Sequence, residues 1–305
     1  MPPIKNILVI GAGELGTAVL LALSRHPNLS QDTDISVLLR PASISSPSPT
    51  KAHKLSVLRK NNITLVPGDI SSSSTRTLTA LFASYDTIVS CTGFSAGRGT
   101  QLKLAKAVLD ARVPRFIPWQ FGVDYDVIGR GSAQDLFDEQ LDVREMLRAQ
   151  QETKWVIIST GMFTSFLFEK NFGVVDLEEN VVSVLGSLEN RVTVTGPGDI
   201  GRITAEIVLG DEFNNGKVYV AGDTVSYGQV ADIVERVTGK TVEKRVRTVS
   251  DAKQDLAKEP ENGLFKYQVV FGEGRGVAWD VKETWNYQRG MRLQTAEEWA
   301  RENLL

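Results

Sequence analysis

The sequence has very few residues that hold metals or form disulfides. It contains one cysteine, Cys91, and two histidines in 305 residues. A single cysteine excludes an intramolecular disulfide and a cysteine-based metal cluster, and we predict no metal site. Cys91 ends an apolar segment, residues 87–91, so we expect a buried strand residue rather than a reactive thiol.

The sequence also lacks an apolar run of about 18 residues, the length that indicates a transmembrane helix. Residues 1–5 lead into the first predicted strand without the layout of a signal peptide. The net charge is −3, which gives no indication of a nucleic-acid-binding surface. We therefore expect a cytoplasmic protein that binds neither membranes nor nucleic acid. The oligomeric state is left open.

A glycine motif is present close to the N-terminus. The apolar residues 6–10 precede Gly11, Gly13 and Gly16, which match the pattern G-x-G-x-x-G, and apolar residues at helical spacing follow. In dinucleotide-binding proteins the first glycine makes a turn, the second lets a pyrophosphate approach, and the third packs helix on strand. The motif predicts a dinucleotide site, and the alternative is a glycine-rich turn without a cofactor.

Two further residues, Glu14 and Leu15, lie inside this motif and belong to the predicted cofactor-binding turn. The amides at the start of the following helix are expected to bind the phosphates. A carboxylate at Glu14 would repel those phosphates, so we expect its side chain to point outward.

The second predicted strand, residues 34–40, ends in Arg40. An acidic residue at this place binds the 2′-hydroxyl of NAD, whereas an arginine accommodates the 2′-phosphate of NADP. Guanidinium pairs with phosphate through two hydrogen bonds, so the predicted cofactor is NADP(H). Lys51 or Lys54, from a helix predicted over residues 51–60, is a further candidate for that phosphate. The alternative for these cations is a solvated surface position.

Strands and helices continue to alternate up to residue 159. Further strands are predicted at residues 63–66, 87–91, 114–118 and 155–159, with helices near 77–84, 101–111 and 134–150. This alternation predicts an α/β fold, a doubly wound parallel sheet of the Rossmann type with ligands at the carboxyl ends of its strands. Residues 41–50 are rich in proline and serine and predict a surface loop.

The pattern becomes irregular after residue 160. We predict an NADP-binding domain over residues 1–160 and a smaller α+β domain over residues 161–305 that covers the substrate. Part of residues 196–225 is expected to return to the main sheet. Gly239 is expected to end a helix, and Thr295 and Glu298 have the spacing of a capping box.

Several segments at the predicted strand ends form a distinctive set. They are the N-terminal glycine motif, Leu39-Arg40-Pro41, Lys51-Ala52-His53, Val66-Pro67-Gly68-Asp69, Arg115-Phe116-Ile117-Pro118, Phe121-Gly122-Val123-Asp124 and Phe137-Asp138-Glu139. Together they resemble the NmrA-like and isoflavone-reductase-like group of atypical short-chain dehydrogenases. The resemblance implies either an NADPH-dependent reductase of aromatic metabolites or a sensor with no known reaction. By position it implies that the cofactor's ribose and nicotinamide are bordered by Thr92, Gly93, Phe94, Gln120 and Phe121.

The chain departs from the family at one important position. The family's reductases place a lysine directly after the Phe-Asp-Glu run, and here that residue is Gln140. An amide can polarise a carbonyl, but it carries no charge and cannot relay a proton. The usual tyrosine base is also missing, because no tyrosine has a lysine four residues later. The catalytic candidates are Gln140 as an orienting group and Tyr125, Asp124 or Lys170 as proton donors, with structural roles as the alternative.

Aromatic residues follow two predicted strand ends. Trp119, Phe163 and Phe166 are candidates for contact with a flat aromatic substrate, and core packing is the alternative. The leading hypothesis is an NADPH-dependent reductase of a small aromatic or conjugated metabolite. Two alternatives stay open: an NADP(H)-sensing regulator, suggested by Gln140, and a non-redox cyclase or isomerase that uses the cofactor as a scaffold.

Overall fold

A computed structural model describes residues 4–46, 48–210 and 213–304. The chain divides into two compact units. The first comprises Met1–Gln120, Asp142–Ile158 and Ile200–Lys217, and the second comprises Phe121–Leu141, Ser159–Asp199 and Val218–Leu305. Residues 121–141 therefore group with the second unit although they precede the predicted boundary at residue 160. Within the described ranges no helix has both the length and the apolarity needed to cross a bilayer.

The strands of the described residues are numbered in chain order. They are β1 (Asn6–Ile10), β2 (Asp34–Leu39), β3 (Ile63–Pro67), β4 (Thr87–Ser90), β5 (Arg115–Ile117), β6 (Lys154–Ser159), β7 (Met162–Phe163), β8 (Val175–Asp176), β9 (Val181–Leu185), β10 (Arg191–Thr195), β11 (Gly216–Tyr219), β12 (Asp223–Ser226) and β13 (Glu243–Arg247).

The α-helices are numbered in the same way. They are α1 (Glu14–Ser24), α2 (Pro41–Ile44), α3 (Pro49–Lys60), α4 (Thr75–Phe82), α5 (Thr100–Asp110), α6 (Tyr125–Ile128), α7 (Leu136–Arg148), α8 (Thr164–Phe168), α9 (Pro197–Leu209), α10 (Tyr227–Thr238), α11 (Val249–Lys258), α12 (Gly263–Glu273), α13 (Trp285–Gln288) and α14 (Ala296–Asn303). Short 3-10 helices cover Phe94–Ala96, Lys170–Phe172 and Val281–Glu283.

The described strands include a seven-stranded sheet with the order β11-β6-β5-β4-β1-β2-β3. Every pairing from β6 across to β3 is parallel. The strand order reverses between β1 and β4, and such a reversal opens a crevice outside the carboxyl ends of the strands. This architecture confirms the predicted doubly wound α/β fold.

The centre of this sheet is apolar on both faces. Ile7, Leu8 and Val9 of β1 are fully buried, as expected for a strand covered by helices on both sides. One face packs against α4 and α5, where Phe82 and Leu104 join the same buried cluster. The continuous apolar run that predicted β1 is thus a consequence of its central position.

Helix α9 lies close to α1 within the first unit. A Cβ atom at Gly201 would lie 2.6 Å from the backbone carbon of Ala18, so no larger residue fits there. Ile203 and Ile207 of α9 are completely buried. Residues 200–217 therefore complete the first unit although they follow residues 159–199 of the second.

The segment over residues 41–50 was predicted as a surface loop, but among its described residues only Ser45, Ser46 and Ser48 lie outside helices. Helix α2 begins at Pro41 and α3 at Pro49. Proline fixes a helical φ and lacks only an amide that a first turn leaves unpaired, so it begins helices as well as breaking them. The loop prediction was wrong for residues 41–44 and 49–50, because Pro41 and Pro49 stand at helix starts.

Two small sheets belong to the second unit, with the strand orders β12-β10-β7 and β13-β9-β8. The predicted capping box is present at the start of α14, where Thr295 and Glu298 bond each other's backbone amides. Gly239 ends α10 in the left-handed region, with φ of 70°. The sequence did not predict β12, β13, α11 or α12.

Candidate cofactor and substrate sites

A cavity of about 460 Å³ lies at the carboxyl edge of the parallel sheet, within the first unit. Its walls are the segments that follow β1, β2, β3 and β4, together with α2 and α3. The lining residues are Ile10, Gly11, Ala12, Gly13, Leu38, Leu39, Arg40, Ser43, Lys51, Lys54, Leu55, Leu58, Gly68, Ile70, Ser71, Cys91, Thr92, Gly93, Ser95 and Ala96. This sheet-edge cavity thus lies where the strand order reverses, the usual place of a dinucleotide.

The turn from Gly11 to Gly16, which we call the glycine turn, accepts only glycine at its two ends. Gly11 has φ of +92°, and a Cβ there would lie 2.6 Å from the hydroxyl oxygen of Thr92. A Cβ at Gly16 would lie 2.1 Å from the carbonyl oxygen of Gly11. These contacts explain the first and third glycines of the motif: one makes the turn and the other brings α1 against it.

The middle glycine has a different environment. Gly13 is exposed at the N-cap of α1, and a Cβ there would meet no described atom within 4 Å. Because Gly13 itself has no side chain, the first amides of α1 stay accessible to an anion. The glycine turn therefore fits a pyrophosphate.

The next two residues have opposite environments. Glu14 is exposed on the first turn of α1, and Leu15 is buried in the core. Leu15 thus anchors the helix start, while Glu14 leaves a negative charge near the glycine turn.

Three cationic side chains line the sheet-edge cavity: Arg40, Lys51 and Lys54. Arg40 is exposed and stands at the N-cap of α2. The pKa of Asp69 lies below its usual value, chiefly because the Ser71 amide donates to the carboxylate, and the Arg40 charge adds to this effect. The cavity therefore offers positive charge at the end of β2, where an NADP 2′-phosphate would lie.

Lys54 reaches the glycine turn itself. Its ammonium group donates a hydrogen bond of 3.3 Å to the carbonyl oxygen of Gly13. Burial lowers the pKa of Lys54, while the Glu14 charge acts in the opposite direction. Lys54 is thus bonded to the glycine turn.

The loop after β4 closes another side of the cavity. The Thr92 hydroxyl donates to the carbonyl of Ile10 at 3.1 Å, which ties this loop to β1. A Cβ at Gly93 would lie 2.7 Å from the ring of Trp119, and the Phe94 ring meets the same indole edge-on at 4.6 Å. Trp119, a predicted substrate contact, therefore also supports the β4 loop. Cys91 is buried, and desolvation raises the pKa of its thiol strongly, which makes it unreactive.

Gln120 follows Trp119 and is completely buried. Its side-chain oxygen accepts a hydrogen bond of 2.7 Å from the Arg144 guanidinium, which is also completely buried. The sequence did not point to Arg144, because an arginine in a helix such as α7 is usually exposed. Phe121, the next predicted cofactor contact, is buried in the second unit.

Three of the four predicted catalytic candidates are Gln140, Tyr125 and Lys170; they belong to the second unit and differ in their exposure. Gln140 of α7 is completely buried. Tyr125 is also buried, with its ring edge-on to Phe137 at 4.9 Å. Lys170 is exposed and pairs with Glu178 and Asp176, and these carboxylates hold its pKa above the usual value. These surface ion pairs give Lys170 a structural role that needs no part in catalysis.

The second unit also contains a connected set of aromatic rings, which we call the aromatic cluster. Its members are Tyr125, Phe137, Phe163, Phe166, Phe172, Tyr267 and Phe271. The rings of Phe163 and Phe166 are 5.3 Å apart, and Phe166 stacks on Phe172 at 5.5 Å. Burial raises the pKa of Tyr267 to about 12. Tyr267 and Phe271 were not predicted, because α12 is about a hundred residues from Phe163 and no local pattern joins them.

Comparison with known proteins adds to this geometry. The model of the NmrA-like family matches residues 3–300. The chain belongs to the NmrA-like family. The resemblance inferred from the strand-end segments is thereby confirmed.

Three related proteins illustrate the similarity. A protein of Gibberella moniliformis, described as an NmrA-like family domain-containing oxidoreductase, is 47% identical over 299 residues and is matched over 97% of both chains. An isoflavone reductase structure has a TM-score of 0.80 at 18% identity, covering 98% of this chain and 99% of the other. The leucoanthocyanidin reductase of Vitis vinifera, solved with NADPH, has a TM-score of 0.78 at 18% identity, covering 97% and 98%.

Proposed function

We propose that this protein binds NADP(H) and uses NADPH to reduce a small aromatic or conjugated metabolite. The main observation is that Arg40 and the glycine turn line the same cavity at the reversal of strand order. An arginine at the end of β2 matches the 2′-phosphate, and accessible helix amides match the pyrophosphate. Among the described residues that line this cavity, none is acidic and could favour the ribose hydroxyl of NAD instead.

Different residues of the first unit would contact different parts of the cofactor. Gly11, Gly13 and Gly16 form the turn for the pyrophosphate, with Glu14 and Leu15 beside them. Arg40 and Lys51 would hold the 2′-phosphate through charge-assisted hydrogen bonds.

The nicotinamide half would be bordered by a second group of residues. These are Thr92, Gly93, Phe94, Gln120 and Phe121. When bound, NADPH supplies a hydride to an electrophilic carbon of the substrate. The hydrogen bond between Gln120 and Arg144 keeps the Gln120 amide in one orientation.

The proposed substrate class rests on the second unit and on the related proteins. Isoflavone and leucoanthocyanidin reductases are named after aromatic compounds. Phe163 and Phe166 of the aromatic cluster are only partly buried, so their rings have faces that a flat molecule can cover. We propose Trp119, Phe163 and Phe166 as the residues that contact the substrate.

The proton in this reaction cannot come from Gln140, because an amide is not an acid in the usable pH range. We propose that Gln140 orients the substrate or cofactor by hydrogen bonding and that water or Tyr125 provides the proton. Substrates that form a stabilised oxyanion after hydride transfer need little acid catalysis. Conjugated ketones and quinone methides have this property.

The experiment that tests the reductase is NADPH oxidation with a panel of aromatic ketones, enones and quinone methides. We expect turnover of at least one of these classes, with NADPH preferred over NADH. The matched variant Gln140→Lys restores the family residue. Should no compound oxidise NADPH with the native protein while Gln140→Lys gains activity, the native protein is not a reductase.

One observation favours a second function. Gln140 replaces the lysine that the family's reductases use, and a regulator that senses NADP(H) needs the cofactor site but no proton relay. Such a sensor would bind NADP+ and NADPH with different affinities and would bind a protein partner in only one of these states. Equal affinities, measured by calorimetry, would contradict the sensor.

A further inference from the structure

The side chain of Lys54 stands at an unusual place in the sheet-edge cavity. It belongs to the second turn of α3, yet its ammonium group donates to the carbonyl of Gly13, the N-cap residue of α1. Lys54 is half-buried and lines the cavity. One hydrogen bond uses one of the three donors of an ammonium group. The other two donors make no hydrogen bond to any residue in the described ranges.

A negative charge stands beside this cation. Glu14, the first residue of α1, follows Gly13 directly, and its charge acts on Lys54. A carboxylate on the first turn of a helix interacts favourably with the helix dipole, but it repels a phosphate bound at the same helix start. A cation at the Gly13 carbonyl offsets that repulsion.

We propose that Lys54 is a ligand of the dinucleotide pyrophosphate and that it compensates the charge of Glu14. This inference rests on the proposed NADP(H) site. Lys54 therefore differs in role from Lys51, which lies one turn earlier on α3 and is assigned to the 2′-phosphate with Arg40. A pyrophosphate bound to the amides of α1 lies within reach of the two remaining ammonium donors.

Binding of two nucleotides distinguishes the proposed role of Lys54 at the pyrophosphate from that of Lys51 at the 2′-phosphate. NADP+ carries both the pyrophosphate and the 2′-phosphate, whereas adenosine 2′-monophosphate carries only the latter. The experiment measures the dissociation constants of both by isothermal titration calorimetry for the native protein, Lys54→Met and the control Lys51→Met. We expect Lys54→Met to weaken NADP+ binding about tenfold, the effect of one charge-assisted hydrogen bond, and to leave adenosine 2′-monophosphate within about twofold. Lys51→Met should weaken both.

The compensation by Lys54 is tested by a double-mutant cycle with Glu14→Gln. We expect Glu14→Gln to strengthen NADP+ binding by about twofold in the native background and by about fivefold in the Lys54→Met background, because the repulsion is then unopposed. Independent effects in the two backgrounds would overturn the compensation.

The remaining outcomes have distinct meanings. If Lys54→Met weakens both nucleotides by the same factor, Lys54 binds the 2′-phosphate and the inference is wrong. If NADP+ affinity does not change, Lys54 is not a ligand at all. If the native protein binds neither nucleotide, the proposed function fails, and this inference fails with it. Unchanged binding of adenosine 2′-monophosphate by Lys54→Met also shows that the variant is folded.

Discussion

The buried pair of Gln120 and Arg144 places a full positive charge in the interior of the first unit. Both residues are completely buried, and their hydrogen bond is 2.7 Å long. A buried guanidinium must keep its acceptors, because an uncompensated charge in a low-dielectric interior is costly. The pair also fixes the end of the loop after β5, where Trp119 and Gln120 precede the second unit.

The first prediction concerns this pair. Gln120→Leu removes one acceptor of the buried Arg144 guanidinium, so we expect the free energy of unfolding to fall by about 2 kcal/mol. Urea denaturation followed by circular dichroism measures it. Arg148→Leu, an exposed position one turn along α7, is the control and should change stability by less than about 0.5 kcal/mol. Equal effects at the two positions would show that the buried pair has no special role.

A second prediction concerns Arg40. Its replacement by alanine removes the cation at the end of β2, so we expect NADP+ to bind about a hundredfold more weakly while NAD+ binding changes by less than about threefold. Calorimetric titration of both nucleotides measures this. A preference for NADP+ that survives Arg40→Ala would contradict the assignment of Arg40 to the 2′-phosphate.

A third prediction concerns Tyr267. Its pKa is raised to about 12, so the folded state favours the neutral phenol over the phenolate. The corresponding stability is fully present below the unfolded pKa of about 10 and is lost as the pH rises from there to about 12. The native protein should therefore lose more unfolding free energy over this range than Tyr267→Phe does. Parallel denaturation curves at several alkaline pH values measure the difference, and identical slopes would contradict the shift.

At the scale of elements, the glycine turn combines two opposite requirements. Gly16 has no room for a side chain because α1 lies close against the turn, whereas a Cβ at Gly13 would meet no described atom within 4 Å, which leaves the space that a ligand would need. This arrangement could be predicted from the sequence, since the three glycines are close together and follow an apolar strand.

The aromatic cluster could not be predicted, because β7 and α12 are far apart in the chain. The starts of α2 and α3 were not predicted, because proline occurs both in loops and in the first turn of helices.

The fourth prediction separates these two glycines. Gly16→Ala places a Cβ 2.1 Å from the Gly11 carbonyl oxygen, so we expect it to lower thermal stability markedly and to abolish NADP+ binding. Gly13→Ala meets no described atom within 4 Å, so we expect a nearly unchanged melting temperature but at least about tenfold weaker NADP+ binding. Thermal melts and calorimetry on both variants measure this. Full NADP+ affinity in Gly13→Ala would show that the pyrophosphate does not lie over Gly13.

At the scale of the whole molecule, each compact unit is built from three separate stretches of the chain. The first unit uses residues 200–217 to complete itself, including α9, whose Gly201 approaches α1. Sequence reasoning predicted the return of a segment near 196–225 but placed a single boundary near residue 160. Local patterns determine helices and strands, whereas the assignment of α6 and the start of α7 to the second unit depends on contacts distant in sequence.

The fifth prediction follows from this arrangement. A fragment of residues 1–160 lacks α9 and β11, so the part of α1 around Ala18, which Gly201 of α9 approaches, loses its cover. We expect this fragment to bind the dye ANS and to lose its sharp thermal transition, while the full chain keeps it. A fragment with a cooperative melt like that of the full chain would show that residues 200–217 contribute little.

The position of α9 late in the chain has a consequence for folding during synthesis. Every residue that lines the sheet-edge cavity lies within the first hundred positions, yet the helix that packs on α1 is translated only after residue 196. At about 5–20 residues per second, a ribosome needs several seconds to add that helix. During this interval the part of α1 around Ala18 lacks the cover of α9, and incompletely covered surface of this kind favours aggregation before folding is complete.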